Sequence, residues 1–387
     1  MKLAVTTFFI LILVSILTNS CRKEKVETES GLKTNSKITL NHYQNNSETR
    51  AEFETGLLWC FSYLGAQLQK GSWQKSTNWL NNQKVELDIS QLGFNENAQN
   101  QLKKLITIYK QSEEYKITGG MDAGRFVMSI YNNSNHYYKI VGIPQRLNSF
   151  TNEYNLLQRK AAIIESGVAF SERIIHLPQT DGSINSLGYL AEEITGSLID
   201  STDVVKESEV MDIMANGQLR FAIYNKNEDL VGGGDVTLSI AGKPAKCLWC
   251  HEVNIQTAIA ALTEIPGYYT PSQFDSVILK NRATIEGYRA SLTPEVVFND
   301  NSQHVELEKL YFRFLEPSAK RLAAEWSLTE QEVRLKLASL TTHIHDEFTE
   351  LGDLYYRAEV APFSPYEVVA TTTSARETTA NEPNLLP

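Results

Sequence analysis

Cysteine is scarce in this chain of 387 residues, which contains four cysteines in all. Cys21 and Cys60 stand far from the pair Cys247 and Cys250, and neither a second CxxC nor an HxxxH partner is present. A structural zinc site usually takes four protein ligands. The cysteine count and spacing therefore argue against a structural zinc site, although they do not exclude every use of the CxxC pair.

Positive charge and long apolar runs are also in short supply. The formal net charge is -10, so the chain has no general electrostatic attraction to nucleic acid or to anionic lipid. We expect no nucleic-acid partner. The apolar run at residues 3–17 is about 15 residues long, too short for a comfortable membrane span but right for the core of a signal peptide.

The N-terminus predicts export. Met1 and Lys2 give a short basic start, the apolar run follows, and Cys21 comes shortly after it. This arrangement resembles a bacterial lipoprotein signal, although Thr18 stands where such signals usually have leucine. The resemblance implies a signal at residues 1–21, lipidation of Cys21 and attachment to the cell envelope, in the periplasm or at the outer membrane. An ordinary signal peptide with an incidental Cys21 is the alternative, and it too places the protein outside the cytoplasm.

Five residues, Cys247-Leu248-Trp249-Cys250-His251, carry the strongest chemical signal. Two thiols separated by two residues, with a histidine directly after, have the spacing of covalent haem c attachment. The thiols add to the two vinyl groups on one porphyrin edge, and the histidine lies under the ring and binds the iron. The motif resembles that of the c-type cytochromes. The resemblance implies one covalent haem c on Cys247 and Cys250, with His251 as the proximal iron ligand.

Other uses of the motif stay open. A CxxC pair also occurs in zinc sites and in thiol redox proteins. A thioredoxin-like site places the pair at the start of a helix within a βαβ unit, whereas the strands before Cys247 are predicted to form a hairpin. A non-haem binding lipoprotein that uses the motif for metal or thiol chemistry is therefore an alternative.

The second axial iron ligand separates electron carriers, which fill it with Met or His, from enzymes and sensors, which leave it open. No methionine follows the motif. The candidates are Met211 and Met214, which are three apart and would share one helical turn, and the downstream His304 and His343. His343 and His345 would face different sides of a helix, so at most one could reach the iron. Core packing is the alternative for both methionines, and an open iron site is the alternative to all four candidates.

The composition, 42% hydrophobic and 21% charged, is that of an ordinary globular protein. Apolar periodicity predicts an α+β fold in which an antiparallel, β-rich central region carries the motif between helical N-terminal and C-terminal regions. The predicted divisions are a signal at 1–21, a flexible tether at 22–48, a helical region at 49–114, a β-rich haem c region at 115–267, a helical region at 268–370 and a disordered tail at 371–387.

Predictions for single elements follow from apolar spacing and turn residues. The predicted strands are 125–131, 136–142, two between 168 and 199, 218–224 and 230–240. The predicted helices are 50–70, 96–113, 153–167, 253–262, 273–292, 305–314, 319–326, 333–340 and 341–358.

Taken together, the sequence predicts an exported monohaem c protein that transfers electrons to or from a redox partner protein. A haem c enzyme or small-ligand sensor with an open iron site is the first alternative. The non-haem lipoprotein is the second.

Overall fold

The computed structural model describes residues 35–43, 48–252, 259–262, 264–299, 301–377 and 382–387. The predicted signal, Cys21 and most of the predicted tether lie outside these residues. In the part of the chain that the structure describes, no helix is long and apolar enough to cross a membrane.

Helices and strands are both abundant, which confirms the α+β class. The α-helices are α1 (Arg50–Tyr63), α2 (Ser72–Ser76), α3 (Glu96–Gln111), α4 (Glu113–Thr118), α5 (Ala123–Val127), α6 (Ser134–Val141), α7 (Leu147–Thr151), α8 (Pro244–His251), α9 (Pro271–Ala290), α10 (Asn301–Leu315), α11 (Ala319–Trp326), α12 (Glu330–Lys336) and α13 (Arg357–Val360). The strands are β1 (Lys37–Asn41), β2 (Thr77–Asn81), β3 (Lys84–Asp88), β4 (Met121–Asp122), β5 (Leu156–Ser166), β6 (Arg173–Pro178), β7 (Tyr189–Thr195), β8 (Val204–Ile213), β9 (Leu219–Asn225), β10 (Leu230–Val231) and β11 (Ile259–Leu262).

The strands form two sheets. The small sheet has the order β2-β3-β1-β4, with β1 antiparallel to β3 and parallel to β4. The large sheet has the order β10-β9-β8-β7-β6-β5-β11, and all its neighbouring strands are antiparallel. Because β5 to β10 follow each other in space as they do in sequence, short connections suffice to build this sheet.

Part of the predicted tether is folded. Residues 37–41 form β1, in which Ile38 and Leu40 are fully buried, so the prediction of a flexible segment at 22–48 is wrong for this stretch. The alternation of buried and polar side chains in β1 is the period of a half-buried strand, but a five-residue strand is too short to stand out from its polar surroundings.

The start of the central region differs most from the prediction. Residues 125–131 and 136–142 were expected to be strands, whereas Ala123–Val127, a π-helical turn at Met128–Asn132 and Ser134–Val141 are helical. Nearly every side chain here is buried. An apolar run that is buried on all sides carries no period, so its aromatic and β-branched residues mimic a strand.

The opposite error occurs at residues 153–167, which were predicted to be helical and instead contain β5. Ala161, Ala162 and Ile163 are all buried in succession, so the middle of this strand is covered on both faces and loses the alternation that marks a strand. The predicted return strand at 230–240 is reduced to the two residues of β10, and the described end of the predicted helix 253–262 is β11.

The helices at 50–70, 96–113, 273–292, 305–314, 319–326 and 333–340 are confirmed as elements. At α12 a capping box is present, with Thr329 and Glu332 exchanging side-chain to backbone hydrogen bonds. Residues 341–358 are not one helix. His343 forms an isolated β-bridge with Leu354, and only a short turn and the first residues of α13 are helical.

The helical core is built on a close crossing of α1 and α10. A Cβ atom on Gly56 of α1 would lie 2.8 Å from the backbone oxygen of Glu306 in α10, so only glycine permits this approach. The crossing brings Trp59 and Tyr63 of α1 against His304 of α10.

The described tail residues are packed against the body, in contrast to the disorder predicted for 371–387. The Asn133 amide donates to the Pro383 carbonyl, the Leu385 N–H donates to Nε2 of His136, and Leu386 is 2% exposed. These contacts reach residues more than 240 positions away in sequence, which explains why local composition alone predicted a disordered segment.

Candidate functional site

The CxxCH motif forms the last turns of α8. The helix begins at Pro244, whose ring suits the first helical position, and ends at His251, after which the Glu252 N–H donates to the Leu248 carbonyl. Residues three and four apart share one face of an α-helix. Cys247 therefore lies on the same side of α8 as Cys250 and His251, which is the arrangement that attachment of two thiols and an imidazole to one porphyrin requires.

Buried contacts hold α8 in place. Leu248, between the two cysteines of the motif, is fully buried. The Lys243 side chain at the start of the helix is also fully buried, and its Nζ lies 2.8 Å from Oε1 of Glu382 and 3.0 Å from the Ser374 carbonyl. The guanidinium of Arg376 lies 3.6 Å from the centre of the Trp249 ring. Tail residues thus fix both the start and the outer side of the helix.

A cavity of about 540 Å³ lies between α8, α9 and the large sheet. Cys250 and His251 open onto it, together with side chains that are mostly apolar. The lining comprises Ile163, Ser166, Gly167, Val168, Arg173, Ile175, Tyr189, Leu190, Ala191, Glu209, Val210, Met211, Phe221, Trp249, Cys250, His251, Glu252, Phe274 and Ile278. Its volume is in the range of pockets that hold cofactors and other small molecules, and its composition is typical of them.

Met211 is the sequence-predicted second ligand that the structure places in this cavity. It lies on β8 directly opposite Phe221 on β9, so the two side chains are on the same face of the sheet. The Phe221 ring centre is 5.1 Å from that of His251. Met211 and His251 therefore flank the same aromatic side chain and line the same cavity.

Met214 points elsewhere. It follows the end of β8 instead of sharing a helical turn with Met211, and its sulfur lies near Gly65, where an added Cβ would be 3.4 Å away. The predicted shared turn is therefore wrong, and Met214 belongs to the packing between the sheet and the segment after α1.

The two histidine candidates are engaged outside the cavity. Nδ1 of His304 lies 2.9 Å from the Tyr63 hydroxyl, and its Nε2 lies 3.6 Å from Glu308. Nε2 of His343 lies 2.7 Å from Glu316, and the Nε2 of His345 lies 3.9 Å from the same carboxylate. His343 and His345 thus converge on one carboxylate, because the segment is extended where a helix was predicted.

A charged cluster, which sequence patterns did not predict, lies on the cavity face of the sheet. Arg173 on β6 lies 2.6 Å from Glu193 on β7 and 2.6 Å from Glu209 on β8. Glu207 accepts a hydrogen bond from the backbone N–H of Asp235, at 2.7 Å. The members are spread over three strands and become neighbours only through strand register.

Burial is the main cause of the altered acidity in this cluster. Burial, together with the nearby Glu209 carboxylate, raises the pKa of Glu193 to about 8 and that of Glu207 to about 7. For Glu193 the guanidinium of Arg173 opposes the rise. One arginine thus faces three carboxylates, and some of them hold a proton at neutral pH.

The motif thiols are also kept protonated. Burial raises the pKa of Cys247 well above its usual value, and Glu209 adds to the effect. Burial raises the pKa of Cys250, against the opposing influence of Lys246 and Arg376. Cys60 is fully buried inside α1, as a small packing residue should be.

Comparison of the chain with protein-family models, with curated proteins and with solved structures finds no match. Within the described ranges, no group of three or more His, Cys, Asp or Glu side chains is arranged to hold a metal ion through protein ligands alone. Cys21, the predicted lipidation site, lies outside those ranges.

Proposed function

We propose that this chain is an exported monohaem c protein that transfers electrons in the cell envelope. One observation carries the proposal. Cys250 and His251 line an apolar cavity that Met211 also lines, and Cys247 lies one turn earlier on the same face of α8. Neither a purely structural helix nor a surface CxxC pair needs such a cavity beside it.

Each residue has a definite task in this proposal. Cys247 and Cys250 would form the two thioether bonds, and His251 and Met211 would bind the iron. When bound, the haem supplies a one-electron iron couple. Phe221, the apolar lining and the covering helix α9 keep water from the iron, which tunes its reduction potential.

The same proposal places the chain on a membrane through lipidated Cys21, facing the periplasm or attached to the outer membrane. Its direct partner is then a redox protein of the envelope. The N-terminal sequence supports this placement, since a basic start, an apolar run and a cysteine occur in that order.

Covalent attachment can be tested on the full chain, produced in a host that matures haem c. We expect the mass of the purified protein to include one haem, and the pyridine haemochrome spectrum to be that of a haem with two thioether bonds. Replacing either motif thiol, in Cys247→Ala or Cys250→Ala, removes one bond, and the double variant loses covalent haem.

Cys60→Ala is the matched control, because it removes a thiol that lies inside α1 and away from the cavity. It should retain the haem mass in full. A colourless wild-type protein without the added mass would contradict the proposal and would favour a binding lipoprotein that uses CxxCH for metal or thiol chemistry.

A second function, a haem enzyme or a sensor of small ligands, is favoured by the charged groups of the cavity. Arg173 and Glu209 line it beside Met211 and can hydrogen-bond a small molecule on the iron if Met211 does not bind there. Binding of carbon monoxide to the reduced protein separates the two functions, since an open iron binds it and a methionine-ligated iron resists it.

A further inference from the structure

A row of buried aromatic rings runs through the helical core beside α8. Trp59 and Tyr63 of α1 have ring centres 5.4 Å apart. Tyr63 stacks on Tyr131 at 5.9 Å, and Tyr131 stacks on Tyr311 of α10 at 6.3 Å. All four side chains are at most 2% exposed. Each ring is in contact distance of the next, so their π-systems form a continuous path.

Two of the three tyrosines are hydrogen-bonded to a side chain that can accept a proton. The Tyr63 hydroxyl lies 2.9 Å from Nδ1 of His304, and the Tyr311 hydroxyl donates to Oε1 of Glu308 at 3.3 Å. His304 and Glu308 lie one helical turn apart on α10, with Nε2 and Oε1 separated by 3.6 Å. An imidazolium formed at His304 would therefore have a carboxylate beside it.

The row reaches the motif helix at two points. The Tyr131 hydroxyl lies 3.4 Å from the carbonyl of Ala245 in the first turn of α8. The guanidinium of Arg376 covers the Trp249 ring and also lies 3.2 Å from Glu308, the partner of Tyr311. Trp249 itself lines the cavity. The aromatic path and its proton acceptors are thus adjacent to the proposed haem site.

We propose that Tyr63 and His304 form a redox-active pair that donates an electron to the haem, through Tyr131 and Tyr311, when a hydroperoxide has oxidised it. The inference rests on the proposed haem attachment and on an iron that peroxide can reach, as in the second function above. It gives His304, which the sequence offered as an iron ligand, a different role as the base for a tyrosine.

The chemistry balances with hydrogen peroxide as the named oxidant. The peroxide breaks its O–O bond, takes two electrons from the haem site and two protons from solvent, and leaves as two molecules of water. Tyr63 returns one electron by way of the stacked rings and passes its hydroxyl proton to Nδ1 of His304. A neutral tyrosyl radical and an imidazolium remain, and the second missing electron comes from the redox partner.

Because Tyr63 is buried, it can donate an electron only if His304 takes its hydroxyl proton. Burial raises the pKa of Tyr63 well above its usual value, so the hydroxyl does not release a proton to water. A buried tyrosine can lose an electron readily only if a hydrogen-bonded base takes the proton at the same time, because a buried phenol cation would be unpaired and costly. Tyr63 has such a base, whereas packing alone would be served by phenylalanine.

The test uses the holoprotein in a Met211→Ala background, so that peroxide can reach the iron whether or not Met211 binds it. Haem mass and carbon monoxide binding are measured first. Peroxide is then added, and the sample is frozen rapidly for electron paramagnetic resonance. We expect a tyrosyl radical that falls severalfold in Tyr63→Phe and forms more slowly in His304→Gln, which keeps an acceptor but cannot take the proton.

Tyr109→Phe is the matched control, because Tyr109 is equally buried but bonds to Ser129 and lies outside the row. It should leave the radical unchanged. A tyrosyl signal that survives in Tyr63→Phe at full yield overturns the proposal, as does a haem-loaded, carbon-monoxide-binding protein that gives no tyrosyl radical. Failure of haem attachment appears earlier, in the mass, and is therefore distinguishable.

Discussion

Met211 and Met214 show how far the position of a single side chain depends on local geometry. Both are methionines near the end of β8, but one faces the cavity and the other contacts Gly65. Successive residues of a strand point to opposite faces, and the chain turns after residue 213, so a separation of three residues sends the two thioethers apart.

This difference gives a residue-scale prediction. In Met211→Ala the reduced holoprotein should bind carbon monoxide rapidly, with a shift of the Soret band, because the sixth iron position loses its ligand. Met214→Ala should bind it no faster than the wild type. The measurement is stopped-flow absorption after mixing with carbon monoxide. Equal, rapid binding by all three proteins would show that Met211 is not a ligand and would favour the enzyme or sensor function.

At the scale of one element, α8 is held at its start by an ion pair that is removed from solvent. Lys243 is fully buried and its partner Glu382 is 5% exposed. Burial lowers the pKa of Lys243, and the Glu382 carboxylate opposes that change. The pair therefore ties the tail residues to the helix that carries the motif.

Lys243→Met should lower the free energy of unfolding by about 3–5 kcal/mol, since it leaves a buried carboxylate without its counter-charge. The double variant Lys243→Met with Glu382→Leu should recover most of that loss, because no unpaired charge remains. Urea denaturation followed by circular dichroism measures both. If the double variant is as unstable as the single one, then packing, not charge pairing, is what the lysine provides.

Elements differ in how well the sequence predicted them. The helices α1, α3, α9 and α12 have one polar face or clear caps, so the spacing of their apolar residues and their capping residues predicted them. The middle of β5, at residues 161–163, is buried on both faces, and the 123–141 segment is buried nearly all round, so neither shows its own period. For the site, the motif spacing predicted the roles of Cys247, Cys250 and His251, but the helix α8 that carries them was not predicted, and strand register decided which methionine lines the cavity.

At the scale of the whole molecule, buried carboxylates make stability depend on pH. The folded-state pKa values of Glu193, about 8, and Glu207, about 7, lie above the value near 4.3 of an unfolded glutamate. Between these limits the folded state binds more protons than the unfolded state. The free energy of unfolding therefore falls as the pH rises through this window, by at most about 1.4 kcal/mol per pH unit for each group.

We expect urea denaturation to give a lower free energy of unfolding at about pH 8 than at about pH 5, and Glu207→Gln to reduce that difference. Glu165→Gln is the control, because Glu165 is an exposed carboxylate on a strand of the same sheet. A pH dependence identical in wild type and Glu207→Gln would mean that Glu207 is ionised in the folded protein throughout the range.

The seven-stranded sheet ends in two minor strands. β10 has two residues, and β11 has four with two register irregularities, whereas the interior strands β5 and β8 have eleven and ten. Long, regular edge strands can pair with strands of other molecules and start fibrils, whereas short or irregular edge strands discourage this pairing. The longest strands thus lie in the interior of the sheet, where their backbone hydrogen-bonding groups are paired. We expect substitutions that lengthen either edge strand to make a monodisperse preparation aggregate.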